Sequence, residues 1–432
     1  MLKRIASSIL NSLGAGLVPR GGLEHIIVGR LQEISALMQD LKNVGAGGAT
    51  FRFISGFYGS GKTFLLQYVR NQALSQDFIV ADADLSPARR LIGSHKEGLA
   101  TYRELVKNLA TKIRPGGEAL KAILEKWISK IQQQVLEGKQ ISPQHPDFKD
   151  AVSFKIRKVV SELQELVHGF DFGNVIVAYW EGYMSDNEEK KRAAMQWLRG
   201  EFPSKTVARR VLNVNTIIDD ESWYDYLKVL ARFAIELGYK GVLVFLDEAI
   251  HLYNIANSVA RNRNYEVLLA MLNDALQGRV EHLGLFVSCV PDVLEDTTRG
   301  LFSIQAFRSR LSDNFIASPN LRDLSAPVLK IASLKPEEIL TLLQRLTQVH
   351  SIIYAASPKL SAEEIKHIAG EITRRGPNQD LTPRDYVRNF LTLLNLKTQN
   401  PSKTTSEILG EMTIDVTIPE IPQISNVDES NI

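Results

Sequence analysis

Gly56-Phe57-Tyr58-Gly59-Ser60-Gly61-Lys62-Thr63 fits the phosphate-loop pattern G-x-x-x-x-G-K-[ST] at every fixed position. Its chemistry is anion binding. Glycines at 56, 59 and 61 let the backbone turn tightly and bring N–H groups close to a phosphate. A helix that follows directly points its positive end at the same anion. Lys62 is expected to reach β- and γ-phosphates, and the Thr63 hydroxyl to hold Mg²⁺. The candidate contacts to a nucleoside triphosphate such as ATP are therefore Gly56, Tyr58, Gly59, Ser60, Gly61, Lys62, Thr63 and Phe64. A Gly/Ser hinge matching by chance is the alternative. It gives no reason for the β-prone run Phe51-Arg52-Phe53-Ile54-Ser55 before the loop, or for the helix-like run Thr63–Val69 after it.

A second element is needed to complete such a site. The apolar run Val242–Leu246 reads as a buried parallel strand and ends in Asp247-Glu248. Ligands of open α/β sheets bind at that end of the strands. Asp247 is expected to hold Mg²⁺ through its water shell, and Glu248 to orient and polarise the attacking water. Alone this pattern is weak; joined to the phosphate loop it is strong. The run Leu283–Ser288 ends in a hydroxyl that could meet the γ-phosphate or the water, or could simply begin the turn before Pro291-Asp292. Arg308 and Arg310 sit two apart in Ala306–Leu311. Either could fork onto a neighbouring subunit's γ-phosphate, and a solvated helix face is the alternative. Thr382-Pro383-Arg384-Asp385 reads as a helix start, with Thr382 as cap and Pro383 first inside. A cation at Arg384 opposes the helix dipole, which points to an anionic partner or to a salt bridge with Asp385 or Glu371.

The elements that must position these residues predict an α/β protein with a parallel sheet. Further apolar runs at Phe78–Asp82 and at 327–332 supply its remaining strands. Residues 1–50 read as a helical lead-in, with Leu31, Ile34, Leu37, Met38 and Leu41 at helical spacing. The core is expected over 51–332. About 185 residues separate Lys62 from Asp247, and 95–218 reads as a helical insertion. Its periodicity includes Val159, Leu163, Leu166 and Val167. A helical lid is expected over 333–399 and a flexible tail over 400–432.

The chain has 432 residues, 44% hydrophobic and 23% charged, which suits a globular protein of two or three domains. One cysteine, Cys289, excludes an internal disulfide and a Cys-based zinc site. No apolar run approaches the roughly 20 residues needed to span a bilayer, and Met1–Leu10 reads as an amphipathic helix, so a cytoplasmic protein without membrane partners is expected. A net charge of +2 carries no nucleic-acid signature. DNA would need a local patch, for which Arg261, Arg263 and Arg279 are candidates and a solvated loop is the alternative. His251 carries no assigned role.

The motif order resembles that of AAA+ ATPases: phosphate loop, Asp-Glu strand, polar sensor, arginine finger, then a helical lid with a second arginine. Val28-Gly29-Arg30 resembles the adenine-side motif of the origin-recognition and Cdc6-like branch, which implies adenine readout by backbone near Val28 and Gly29. Ser55–Phe64, Ala81–Pro87, Tyr102–Leu105, Asn108–Thr111 and Leu381–Asp385 look like the ATP-binding proteins of BREX phage-defence islands, of the BrxD type. That resemblance implies an ATPase using Mg²⁺, working in homo- or hetero-oligomers with subunit-shared sites, beside other defence proteins and double-stranded DNA. Ser288-Cys289 departs from the Asn or Thr often found at the sensor, which puts efficient hydrolysis in question. An ATP-dependent assembly switch with little turnover is the competing expectation.

Overall fold

The computed structural model describes residues 1–139, 142–163, 168–312, 323–376 and 381–414. The five apolar runs become five strands: β1 (Ala49–Ser55), β2 (Ile79–Asp84), β3 (Val242–Asp247), β4 (Leu283–Cys289) and β5 (Val328–Lys330). They form one sheet in the order β2-β3-β4-β1-β5, and every pairing is parallel. A parallel sheet covered on both faces needs apolar residues without alternation. β3 and β4 meet that demand, being buried at every position. β4 lies between the loop strand and the acidic strand. Register pairs Ser55 with Cys289 and Leu246 with Val287, so the three strand ends arrive at one edge of the sheet.

The helices cover the sheet. Helix Lys62–Ser75 follows the phosphate loop and helix Leu31–Gly45 packs beside it, burying Leu37, Leu41, Leu65 and Val69 against Ile54, Leu243 and Phe286. A buried Arg52 inside β1 fastens this layer. Its guanidinium forks onto Asp40, at 2.7 Å from Nε and 2.9 Å from Nη2. The β2–β3 connection carries seven helices among the described residues, from Glu97–Lys107 to Trp223–Glu236. Edge-to-face aromatic pairs hold them together, with Trp127–Phe233 at 5.0 Å and Trp197–Tyr226 at 5.2 Å between centroids. Their core runs without a break into Phe51, Phe53, Val242 and Val244 of the sheet. The insertion thus shares the core of the α/β layer. Leu166, Val167 and the side chain of Leu163 lie outside the described residues.

Helices Pro336–Ile353, Ala362–Arg375 and Pro383–Gln399 form a separate core around Leu343, Leu346, Ile372 and Phe390. Ala6 and Ile9 of the N-terminal helix Lys3–Gly14 join that core, as do Leu23 and Ile26. The lead-in therefore divides: its first helix shares the core of the C-terminal helices, and Leu31–Gly45 packs on the sheet. The tail differs from its expected irregularity at Thr405–Glu411, which is a helix burying Ile408 and Leu409. Thr404 and Glu407 cap it reciprocally, a start signal that a search for long periodicity passes over. The tail beyond 414 lies outside the described residues. No helix among the described residues is long and apolar enough to cross a membrane.

Candidate functional site

The phosphate loop depends on left-handed backbone at Gly59 (φ 69°) and Gly61 (φ 97°). At Gly59 a Cβ atom would also collide with Thr382 at the start of helix Pro383–Gln399. Lys62 Nζ bridges the loop, donating to the carbonyls of Gly56 at 2.8 Å and Phe57 at 2.9 Å. Burial lowers the Lys62 pKa, against the opposing pull of the Asp247 and Glu248 carboxylates. Its ammonium is thus short of solvent and held by two neutral acceptors, which a polyanion outbids.

The acidic strand reaches the loop through a hydrogen bond. Thr63 Oγ1 donates to Asp247 Oδ2 at 2.7 Å. Asp247 Oδ1 accepts from the Glu248 amide at 2.9 Å and from the Ser288 hydroxyl. Glu248 has φ 60°, a backbone region that costs a non-glycine residue of order 1–3 kcal/mol and recurs at functional positions. Burial raises the Glu248 pKa, Asp247 raises it further, and Lys62 and Arg384 oppose both. Asp84, the register partner of Asp247 on β2, adds a third carboxylate. Partial burial and then Asp247 raise its pKa. Sequence reading missed Asp84, which stands two residues beyond the apolar run Phe78–Asp82.

A cavity of about 260 Å³ opens against this constellation. Tyr58, Gly59, Ser60, Gly61, Lys62, Thr63, Phe64, Val28, Glu248 and Arg384 all line it. Gly56 reaches it through the Lys62 hydrogen bond, and Asp247 through Thr63. Gly29 (φ 61°) stands behind the wall, packed on the Glu338 carboxylate. Arg384 takes neither salt bridge open to it from sequence. Glu371 pairs with Arg374 and Arg375, and Asp385 caps its helix with Thr382. Arg30 also lines the cavity and donates to the Ser60 carbonyl of the loop. Its only sequence signal is its place in the Val28-Gly29-Arg30 triplet.

Other expected residues lie elsewhere. Ser288 is 0% exposed and does not line the cavity; its hydroxyl goes to Asp247. Arg308 and Arg310 sit on the exposed face of helix Gln305–Leu311, away from the cavity, donating to the carbonyls of Phe302 and Ala306. The basic patch does not assemble as three free cations: Arg261 is buried and donates to the Ile255 carbonyl at 2.8 Å. Among the described residues no group of three His, Cys, Asp or Glu side chains is placed to hold a metal by itself.

A parallel sheet with a phosphate loop after β1 and an acidic pair after β3 defines a P-loop NTPase core, here with helical additions. A family model described as BREX system ATP-binding protein BrxC/D matches residues 1–413, and the chain belongs to that family. ATP binding in a BREX setting is what this membership carries. Kinship with the origin-recognition branch rests on Val28-Gly29-Arg30 alone. A comparison with curated proteins gives no match.

Proposed function

We propose that this protein is an AAA+ ATPase that hydrolyses Mg-ATP within a BREX-type anti-phage system, acting with partner proteins, with double-stranded DNA as a candidate effector to be tested. One observation carries the reading: the Thr63–Asp247 hydrogen bond joins the phosphate loop to the acidic strand while Glu248 lines the same cavity as Lys62. Lys62 exchanges its two carbonyl partners for phosphate oxygens. Arg30 and Arg384 add positive charge from two walls of the cavity. Glu248 accepts a hydrogen bond from the attacking water and draws off its proton. Ser288 acts as a positioning residue, because it and the Glu248 amide fix the Asp247 carboxylate. The Thr63 hydroxyl and the Asp247 carboxylate are hard oxygen donors suited to Mg²⁺, which would neutralise charge on the β- and γ-phosphate oxygens.

Arg308 and Arg310 lie outside their own cavity and on an exposed helix, which supports delivery of one of them to a neighbouring subunit's ATP. The same geometry also supports a slower second reading, an ATP-bound assembly switch. Ser288 is spent on Asp247, and Glu248 is pushed toward its protonated form by burial and by Asp247.

Turnover and oligomeric state measured with and without ATP and double-stranded DNA separate the two. Glu248→Gln is expected to bind ATP as the wild type does while hydrolysis falls about 100- to 10,000-fold, the range of a positioned base. Equal hydrolysis rates in the two proteins would remove the role given to Glu248. Turnover near background in the wild type, with and without DNA, favours the switch.

A further inference from the structure

A second cavity, of about 580 Å³, lies outside the nucleotide site, where the end of β2 meets the helical insertion. Four pieces of chain wall it: the turn after β2, helix Glu97–Lys107, the start of helix Leu120–Lys139 and the turn after helix Glu188–Leu198. Hydrogen bonds fasten these pieces together. Tyr102 Oη donates to the Leu198 carbonyl at 2.9 Å, and the Glu118 amide donates to the Lys107 carbonyl at 2.8 Å. Gly200 has φ 69°, and a Cβ there would strike Leu99 and Tyr102, so the turn after Leu198 sits directly on helix Glu97–Lys107.

The cavity gathers arginines. Arg89 Nε donates to the Asp84 carbonyl at 3.0 Å, and Arg103 Nε to the Gly200 carbonyl at 2.8 Å. A bond at Nε fixes the plane of a guanidinium and leaves its amino edge, which forks onto oxyanions, for a ligand. Arg199, exposed on the facing turn, brings a third guanidinium to the same space. None of the three forms an ion pair among the described residues, although carboxylates share the walls. Glu104 is engaged, pairing with Lys107 at 3.7 Å and accepting from Asn108 at 3.1 Å. Glu118 and Glu201 are exposed. Three like charges in one concave space repel until an anion enters.

We propose that this cavity is a second anion site, which takes a compact ligand carrying two or more phosphate groups. Arg89 and Arg103 fork onto the ligand from fixed positions, and Arg199 meets it from the facing turn. Three features favour a compact ligand over a nucleic-acid strand. The volume falls within the range of small-molecule sites, about 300–1,000 Å³. No aromatic side chain among the described residues lines the cavity, whereas single-strand sites stack bases on aromatic rings. The exposed carboxylates of Glu118 and Glu201 interrupt the positive field that a phosphodiester track needs. The site adjoins the acidic edge of the sheet through one turn. Arg89 holds the Asp84 carbonyl, and the next amide, that of Leu85, donates to the Asp247 carbonyl at 3.0 Å.

The test titrates inorganic tripolyphosphate into the full chain at low salt. Lys62→Ala removes the phosphate-loop cation, so binding measured in that background reports on the second cavity. There Arg199→Glu is expected to weaken tripolyphosphate by at least about tenfold, since it reverses a charge that makes a charge-assisted hydrogen bond. Arg199 is exposed and unpaired, so this change leaves the fold alone. Arg89→Ala is expected to cost a similar factor, and the affinity to fall as salt rises. A single-stranded oligonucleotide is expected to bind more weakly than tripolyphosphate. The proposal is overturned if Lys62→Ala takes up no tripolyphosphate, or if its affinity is indifferent to Arg199→Glu. An oligonucleotide that binds more tightly than tripolyphosphate, and is lost with Arg199→Glu, overturns it as well.

Discussion

The phosphate end and the aliphatic end of one cavity are built by opposite means. Residues close in sequence build most of the first. Gly56–Thr63 supplies backbone donors, the ammonium and the hydroxyl, and β3 adds its carboxylates across a single intervening strand. The second draws on apolar side chains scattered along the chain, among them Leu13, Leu17, Ile26, Leu342 and Val387, which share no fixed motif. Chemistry that needs a fixed order of groups leaves a motif. Apolar shape, which many side chains satisfy, leaves none. The sheet holds the phosphate end rigid, whereas the aliphatic end is set by how the lid and N-terminal helix pack together.

The most forceful way to break this contrast is Lys62→Ala. If the phosphate end dominates binding, loss of a half-buried cation that both loop carbonyls hold should weaken ATP by roughly 100-fold or more. Titration calorimetry decides it, and a loss of less than about tenfold would mean that the phosphate end does not dominate binding.

Arg384→Ala sharpens the contrast, because Arg384 is a lid residue working at the phosphate end. It is exposed, and among the described residues it forms no ion pair with Glu371 or Asp385. About a tenfold weaker ATP affinity is expected, declining as salt rises, since an exposed cation is screened. An affinity insensitive to both the substitution and the salt would assign the lid to the aliphatic end alone.

How far sequence reaches follows from the same division. β3 and β4 were legible because a buried parallel sheet demands unbroken apolar runs, the other three strands as shorter apolar or β-prone runs, and Lys62, Thr63, Asp247 and Glu248 because their order is dictated by phosphate chemistry. Arg384 was legible from a cation misplaced against a helix dipole. Arg30 is not legible as a site residue, because nothing local shows that a residue at position 30 reaches the Ser60 carbonyl. Ser288 was legible as a polar strand end, but its partner was not: strand order alone decides that Asp247 stands next to it. The split of residues 1–50 between lid and sheet was invisible for a like reason. Helical periodicity reports which face is buried and is silent about what buries it.

Ser288→Ala tests whether the sheet edge is as fixed as the contrast requires. It removes one of three hydrogen bonds to Asp247, leaving those from Thr63 and the Glu248 amide. The expected cost is about 1–2 kcal/mol of stability for a lost buried partner to a charged group. Turnover should fall only a few-fold, with ATP affinity kept. Chemical denaturation alongside steady-state hydrolysis reads both numbers. A loss of turnover as deep as that of Glu248→Gln would make Ser288 a direct partner of substrate rather than a positioning residue.

The smallest expected effect concerns the strain stored at the phosphate end. Burial and the Asp247 carboxylate raise the Glu248 pKa in the folded protein. An acid whose folded pKa exceeds its unfolded one binds protons more readily when folded, so stability falls as pH rises through the interval between the two values. At neutral pH the folded protein therefore carries the unfavourable cost of an ionised Glu248, and near the usual carboxylate range that cost disappears. Glu248→Gln keeps the shape and the left-handed backbone but removes the charge. It should be modestly more stable than the wild type at pH 7, with the gain shrinking as pH is lowered. Thermal denaturation of both proteins across that range measures it. A variant less stable than the wild type at neutral pH would mean that Lys62 and Arg384 already outweigh burial. Glu248 would then be held ionised, a better base than its surroundings suggest, and the slow-switch reading would lose its main physical support.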